Sequence, residues 1–288
     1  MRQPIVHAFF ESQSFTYSYL VWDPQSKEAA VIDPALEFDV TSGSIGTSLA
    51  DQIIAQVKQH NLTVQWLLET HVHADHLSAA SYLQQQLGGR TGIGSRITEV
   101  QQLFSQVFNL KQLKTDGSAF GKLFENGERF MLGTICCAVL HTPGHTPACV
   151  SYCIGDAVFV GDTLFMPDYG SARCDFPGGD AATLYSSVQR LYKLPEATRM
   201  FLCHDYKAPG REQFVCETTV AAQKQQNIHL KQGTSEQDFV AMRTSRDKTL
   251  SMPKLLLPSV QVNVQAGQLP QAEGNGTVYL KLPVNLFC

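Results

Sequence analysis

Three histidines and an aspartate fall within six positions, His71-Val72-His73-Ala74-Asp75-His76. Such a cluster is suited to metal ligation, because neutral imidazoles and a carboxylate each offer a lone pair to one ion. In extended backbone, residues two apart point the same way, so His71 and His73 can converge. Asp75 and His76 lie past the bend and can face a second position close by. Imidazole suits zinc, iron, copper and nickel, and an added carboxylate shifts the balance toward harder ions. The spacing alone leaves the metal open.

Further stretches carry the same chemistry. In Thr142-Pro143-Gly144-His145, Pro followed by Gly fits a type II turn, with Gly accepting the positive φ. The turn aims His145 away from the end of a strand and makes it a candidate ligand. His141, on the strand side, reads as a structural histidine. Ala157-Val158-Phe159-Val160-Gly161-Asp162 ends an apolar run in a carboxylate, with Gly161 permitting close backbone approach. Phe201-Leu202-Cys203-His204 ends another in a histidine. Val31-Ile32-Asp33-Pro34 also ends in a carboxylate, which reads as a turn cap in preference to a partner of the histidines. His60 closes a helix, where a cation is favourable, and reads as solvated or capping.

The elements that must position these side chains follow from hydrophobic period and turn chemistry. Strands are expected at Pro4 to Phe10, Phe15 to Trp22 and Glu28 to Asp33, with a Gly/Ser loop over 41–46 and a helix from Leu49 to His60. A strand at Val64 to Glu69 delivers the histidines, and a helix from Ser78 to Leu87 follows them, ended by Gly88-Gly89. A strand near Thr91 to Gly94 and a helical stripe from Ile97 to Phe108 come next. Glu125-Asn126-Gly127-Glu128 has hairpin chemistry and precedes strands at Arg129 to Leu132 and Thr134 to His141. Helices are expected over Asp180 to Leu194, Glu212 to Gln226 and Ser235 to Lys248. Leu255-Leu256-Leu257-Pro258 and Val278-Tyr279-Leu280 suit short edge strands or packing over the domain. Strand-rich halves with helices between them predict two packed sheets covered by helices.

The 288 residues are 43% hydrophobic and 17% charged, an ordinary globular composition. The formal charge is −4 and no basic run occurs, which argues against nucleic acid or an acidic membrane surface as partner. No apolar run is long enough to span a bilayer, and the first ten residues lack a signal-peptide pattern. The eight cysteines include no Cys-x-x-Cys, so they read as reduced thiols in a cytoplasmic protein.

Taken together and in this order, His71-x-His73-x-Asp75-His76, His145, Asp162 and His204 resemble the motif of the metallo-β-lactamase superfamily, over about residues 5–230. The resemblance implies an α/β fold, an αββα sandwich of two mixed β-sheets flanked by helices, with metal at one edge. It implies a catalytic domain over residues 1–230 and a helix and extended tail over 231–288 packing on the same domain. In the superfamily pattern His71, His73 and His145 hold one metal, Asp75, His76 and His204 a second, and Asp162 bridges them. Met166 to Asp180, His204-Asp205-Tyr206 and the tail from Leu255 to Val284 resemble, more narrowly, the glutathione-dependent persulfide dioxygenases.

That branch implies one Fe(II) per chain, held by His71, His145 and Asp162, with His73, Asp75, His76 and His204 beside it and His76 and His204 serving catalysis. Glutathione persulfide and O2 are the implied substrates, sulfite and glutathione the products. Arg173 and Tyr206 are the best candidates to meet the glutathione, with Lys207, Arg211, Arg243 and Arg246 behind them. Arg173 also has Asp175 and Asp168 within reach as ion-pair partners. Cys174 stands where many relatives have Thr and reads as a small packed side chain. The chain has no space for a fused rhodanese domain, so a sulfurtransferase would be another protein, and a homodimer fits the family. The main alternative is a dinuclear, glyoxalase II-like thioester hydrolase, since all seven dinuclear ligand positions are filled. A third is a metal-binding or persulfide-sensing protein without turnover.

Overall fold

The structure is a computed structural model and describes residues 3–286. In chain order the first half holds β1 (Ile5–Glu11), β2 (Thr16–Trp22), β3 (Glu28–Ile32), β4 (Ala35–Asp39), β5 (Ser44–Gly46), α1 (Ser48–Gln59), β6 (Thr63–Leu68), β7 (Leu77–Ser78), α2 (Ala80–Leu87), β8 (Arg90–Gly94), α3 (Ile97–Val107) and β9 (Lys122–Phe124). The second half holds β10 (Arg129–Leu132), β11 (Ile135–His141), β12 (Val150–Ile154), β13 (Ala157–Phe159), α4 (Ala181–Leu191), β14 (Arg199–Phe201), β15 (Glu217–Thr219), α5 (Val220–Gln226), α6 (Glu236–Asp247) and α7 (Leu256–Asn263).

Two six-stranded sheets form, in the orders β1-β2-β3-β6-β8-β9 and β10-β11-β12-β13-β14-β15. Alternation along the strands explains why they stack. Tyr19, Val21, Ile32 and Leu68 of the first sheet pack against Phe130, Val139, Tyr152, Phe159 and Phe201 of the second. Their neighbours Leu20, Val31 and Leu67 face outward and are covered by Ile53 and Val57 of α1 and Leu83 of α2. On the far side Val158 and Met200 are covered by Leu184 and Val188 of α4 and Phe239 of α6. Strands buried on both faces explain the near-continuous apolar runs. The result is the expected αββα sandwich.

Several local expectations are corrected. The 41–46 stretch is not all loop: β5 forms there and pairs with β4, and with β7 they make a small third sheet. The Glu125–Glu128 turn does not close a hairpin, because β9 and β10 belong to different sheets and the turn carries the chain between them. Glu212 to Gln226 is not one helix. β15 pairs with β14 before α5 begins at Val220, capped by the Thr219 hydroxyl. Residues 255–258 add no edge strand but open α7, with Pro258 in the first turn where its missing N–H leaves no orphan acceptor. Residues 278–280 are not a strand either, though Leu280 packs against the first core cluster.

Candidate metal centre

Four strand ends meet at one edge of the sandwich. The chain leaves β3 at Asp33, β6 at His71, β13 at Asp162 and β14 at His204, and β3 runs parallel to β6 as β13 does to β14. Parallel strands place their carboxyl ends on the same side, which is where α/β sheets collect their sites. Two glycines allow the close approach. Gly161 has φ +51°, and a Cβ there would meet Thr70 Cβ at 2.7 Å. Gly144 has φ +139°, and a Cβ would meet the Leu184 backbone N at 2.5 Å, so α4 seats directly on the turn that presents His145.

Hydrogen bonds fix which nitrogen of each histidine is free. Thr70 Oγ1 donates to Asp33 Oδ2 at 2.8 Å and lies 3.0 Å from His71 Nδ1. His71 therefore donates through Nδ1 and keeps a lone pair on Nε2. His145 Nδ1 donates to the Arg173 carbonyl at 2.8 Å, which frees its Nε2. Both free nitrogens face Asp162 Oδ2, at 4.0 Å from His71 and 3.6 Å from His145. His73 donates through Nε2 to Asp33 Oδ1 at 3.0 Å, and its Nδ1 has no partner.

On the other side of the Asp162 carboxylate, the Thr16 hydroxyl is a hub. It donates to Asp75 Oδ2 at 3.1 Å and lies 3.3 Å from both His76 Nδ1 and His204 Nδ1. His204 Nε2 lies 3.4 Å from Asp75 Oδ2 and 3.4 Å from Asp162 Oδ1. Four buried atoms of the histidines and Asp162 lack a hydrogen-bond partner, His73 Nδ1, His76 Nε2, His204 Nε2 and Asp162 Oδ1, as does Glu69 Oε2 beside His73. An orphaned buried polar atom costs about 1–3 kcal/mol. Four together are more than a fold of marginal stability retains unless something binds them, and their donor types, imidazole nitrogen and carboxylate oxygen, fit a metal ion.

Charge differs across the centre. Burial holds the His71 and His145 pKa values below the ordinary histidine range, so both rings are neutral lone-pair donors. Burial also opposes protonation of His204, but the Asp75 and Asp162 carboxylates outweigh it and raise its pKa well above the ordinary value. Asp33 does the same for His73. Burial alone would raise Asp75, yet His204 and His76 hold it well below the usual carboxylate range.

The centre opens on a cavity of about 900 Å³. His71, Asp75, His76, His145 and Asp162 line it, whereas His73 and His204 sit behind with no exposed surface. Its apolar walls include Phe38 of β4, Phe165, Phe176, and Leu250 and Leu255 of the α6–α7 connection. Tyr206 lines it and stacks on the His204 ring, centroids 5.6 Å apart. Arg173 lines it too, but its guanidinium is engaged by Asp175 at 2.6 Å and by the Ser251 carbonyl at 2.6 Å. Arg243 pairs with Asp247, Arg211 with Asp205 and Asp168, and Lys207 lies over the Phe214 ring. Among the described residues, Arg246 and Lys254 line the cavity without an ion-pair partner. His141 bonds the Phe124 carbonyl and Cys174 is buried with its thiol pKa pushed up by burial, so both are structural as expected. His60 caps α1, one of the two readings expected, and also stacks on Trp22 at 5.3 Å.

Asp33 corrects the cap reading. Its backbone has φ +49°, costly for a non-glycine residue, and its carboxylate accepts from Thr70 N, Thr70 Oγ1 and His73 Nε2. It is the anchor of the histidine loop. Three more residues escaped sequence reading. Thr16 had no signal beyond opening a strand. Glu69 is buried beside His73, Oε2 3.4 Å from its Nε2, and its only signal was a carboxylate just before the histidines. Asn263 reaches the loop from α7, and its signal was the polar row Ser259, Gln261, Asn263 in an otherwise apolar stretch.

The model of the Metallo-beta-lactamase superfamily matches residues 12–204. The chain is 50% identical to a "Probable metallo-hydrolase" of Burkholderia pseudomallei, covering 97% of this chain and 99% of the relative. It is 46% identical to "Glyoxylase B2" of Dictyostelium discoideum, covering 97% of each. It is 31% identical to the mitochondrial persulfide dioxygenase ETHE1 of Bos taurus, over 70% of this chain and 68% of that one. Other bacterial relatives at 49–50% identity are longer, and the chain spans about two thirds of their length. Among solved structures, ETHE1 from Myxococcus xanthus superposes with a TM-score of 0.73 at 30% identity, covering 92% of this chain and 100% of that one. No helix of the described residues is long and apolar enough to cross a membrane. A matching family model across the whole histidine–aspartate constellation, on a sandwich that gathers those residues at one edge, makes this chain a member of the metallo-β-lactamase superfamily.

Proposed function

We propose that this protein is an Fe(II)-dependent persulfide dioxygenase that converts glutathione persulfide, O2 and water to sulfite and glutathione. The observation that carries this is the set His71, His145 and Asp162, two imidazoles and one carboxylate with free atoms converging on the open cavity. Two histidines and one carboxylate on one face are the ligand set of non-haem iron oxygenases, and the absence of thiolate suits iron. Fe(II) held there supplies an oxidisable centre with coordination positions left for substrates.

The chain's own residues do the rest. The Arg173 carbonyl and Thr70 hydroxyl lock the ligand tautomers of His145 and His71. Phe38, Phe165 and Phe176 keep water from the reacting sulfur, and Arg246 and Lys254 offer unpaired cations to the carboxylates of a tripeptide thiol. The C-terminal part beyond residue 230 belongs to the same catalytic unit, because the α6–α7 connection forms a cavity wall. The described cysteines are free thiols and suit a reducing compartment, which we take to be the cytoplasm.

A dinuclear thioester hydrolase, in keeping with the name of the Dictyostelium relative, is the second reading. The unpartnered His76 Nε2, His204 Nε2 and Asp162 Oδ1 favour it. Anaerobic reloading of stripped protein separates the two. Under the dioxygenase reading, Fe(II) restores oxygen uptake and sulfite formation in proportion to iron bound, while zinc, which has no redox chemistry, gives a folded protein with neither. Sulfite formation by protein that contains only zinc would refute it.

A further inference from the structure

The histidine loop is held at two ends. From below, Asp33 takes Thr70 and His73. From above, a single side chain of the C-terminal helix does the work. Asn263, the last residue of α7 and 4% exposed, donates through Nδ2 to the His73 carbonyl and to the His76 carbonyl, each at 2.8 Å. Its Oδ1 accepts from Ser78 N at 2.8 Å. The arrangement fixes the amide orientation, because the opposite one would set an oxygen against two carbonyls and an NH2 against an N–H. The chain then turns back over the same place. Gly267, at φ +78°, passes so close that a Cβ would meet the Ser78 carbonyl at 2.8 Å.

We propose that Asn263 is a positioning residue of the metal centre. By tying two carbonyls three residues apart, it sets the bend that brings the His76 ring to 4.3 Å from the His73 ring, with its Nδ1 3.3 Å from the Thr16 hydroxyl. Only a primary amide supplies two donors and one acceptor in this geometry, and no other side chain bridges His73 and His76 among the described hydrogen bonds. The C-terminal helix is thereby part of the site and not merely a cover over it. We rest this on the histidine cluster holding a metal, not on which reaction the metal serves, so failure of the dioxygenase reading leaves it standing.

Co(II) titration of the full stripped chain, read by competition with a chelating indicator and by the ligand-field spectrum, tests it. Asn263→Asp keeps the size and replaces both donors with an acceptor. It is expected to weaken Co(II) binding by on the order of 10–100-fold, as loss of a group that orients ligands does, and to shift the spectrum. Gln101→Leu is the control for loosening α7 alone. Gln101 is buried and ties the Val264 carbonyl and Gly117 N without touching the histidine loop. It is expected to lower thermal stability while leaving affinity within about 2-fold and the spectrum unchanged. Should Asn263→Asp fail to fold, Asn263→Ser, with one donor in place of two, is expected to give an intermediate loss. Unchanged affinity and spectrum in the folded Asn263 variant would overturn the proposal. So would an equal loss of affinity in Gln101→Leu, which would make the role merely structural.

Discussion

The Asp162 carboxylate divides the centre into two unlike halves. Oδ2 faces His71 and His145, whose rings burial keeps neutral and whose free nitrogens look onto the cavity. Oδ1 faces His204, which sits behind the cavity surface between two carboxylates that favour its proton. The seven family positions are all present, yet the two halves are not equivalent: both rings of the first line the cavity, whereas in the second Asp75 and His76 line it and His204 lies behind with no exposed surface. Ligand identity is therefore a poor guide to metal count, and the surroundings of each ligand a better one.

The largest expected effect breaks the first half. His71→Ala, His145→Ala and Asp162→Ala each remove one of the three proposed ligands, and each is expected to abolish iron binding, by metal analysis, and turnover, by oxygen uptake. The same change in the second half sharpens the contrast. His76→Ala and His204→Ala are expected to keep most of the iron and lose about 10–100-fold in turnover. Emptying of the site by His76→Ala as complete as by His71→Ala would erase the asymmetry. Next comes the support beneath both. Asp33→Asn keeps the shape but weakens the acceptor of Thr70 and His73, and a roughly 10-fold loss of iron affinity is expected from competition with a chelator.

The smallest effect lies outside the centre and calibrates it. His229 accepts from Ser171 N at 3.0 Å, and burial, with Arg243 and Arg246 nearby, depresses its pKa to about 4. The unfolded state takes its proton near pH 6.5, before the folded state does. Its contribution to stability is present above that pH and lost as pH falls toward 4. His229→Gln is expected to flatten the fall in Tm between pH 6.5 and 4.5, measured by thermal melts, while leaving iron content unchanged. An unaltered pH slope in the variant would remove His229 as its source.

What was legible in the sequence followed chemistry written locally. His71 to His76 sit on consecutive positions after an apolar strand, Gly161 announced a close approach and Gly144 a positive φ, though not the seating of α4 against it. The sandwich itself was legible because two-sided burial leaves continuous apolar runs. Partnerships across the chain were not. Asp33 looks like any Asp-Pro turn until Thr70 and His73 arrive from 37 and 40 residues away. Asn263 lies 187–190 residues from the carbonyls it holds. Arg173 was legible as a residue near the metal but not as one whose carbonyl orients His145 while its guanidinium binds Asp175 and the Ser251 carbonyl. Strands as short as β5, β7 and β15 gave too few alternations to show a period.

One measurement tests the asymmetry most directly: metal content of anaerobically purified protein, taken with oxygen uptake on glutathione persulfide and hydrolysis of S-lactoylglutathione by the same sample. One iron per chain, oxygen consumption with sulfite release and negligible thioester hydrolysis are the result expected. Two tightly held metals per chain with rapid thioester hydrolysis and no oxygen uptake would contradict it.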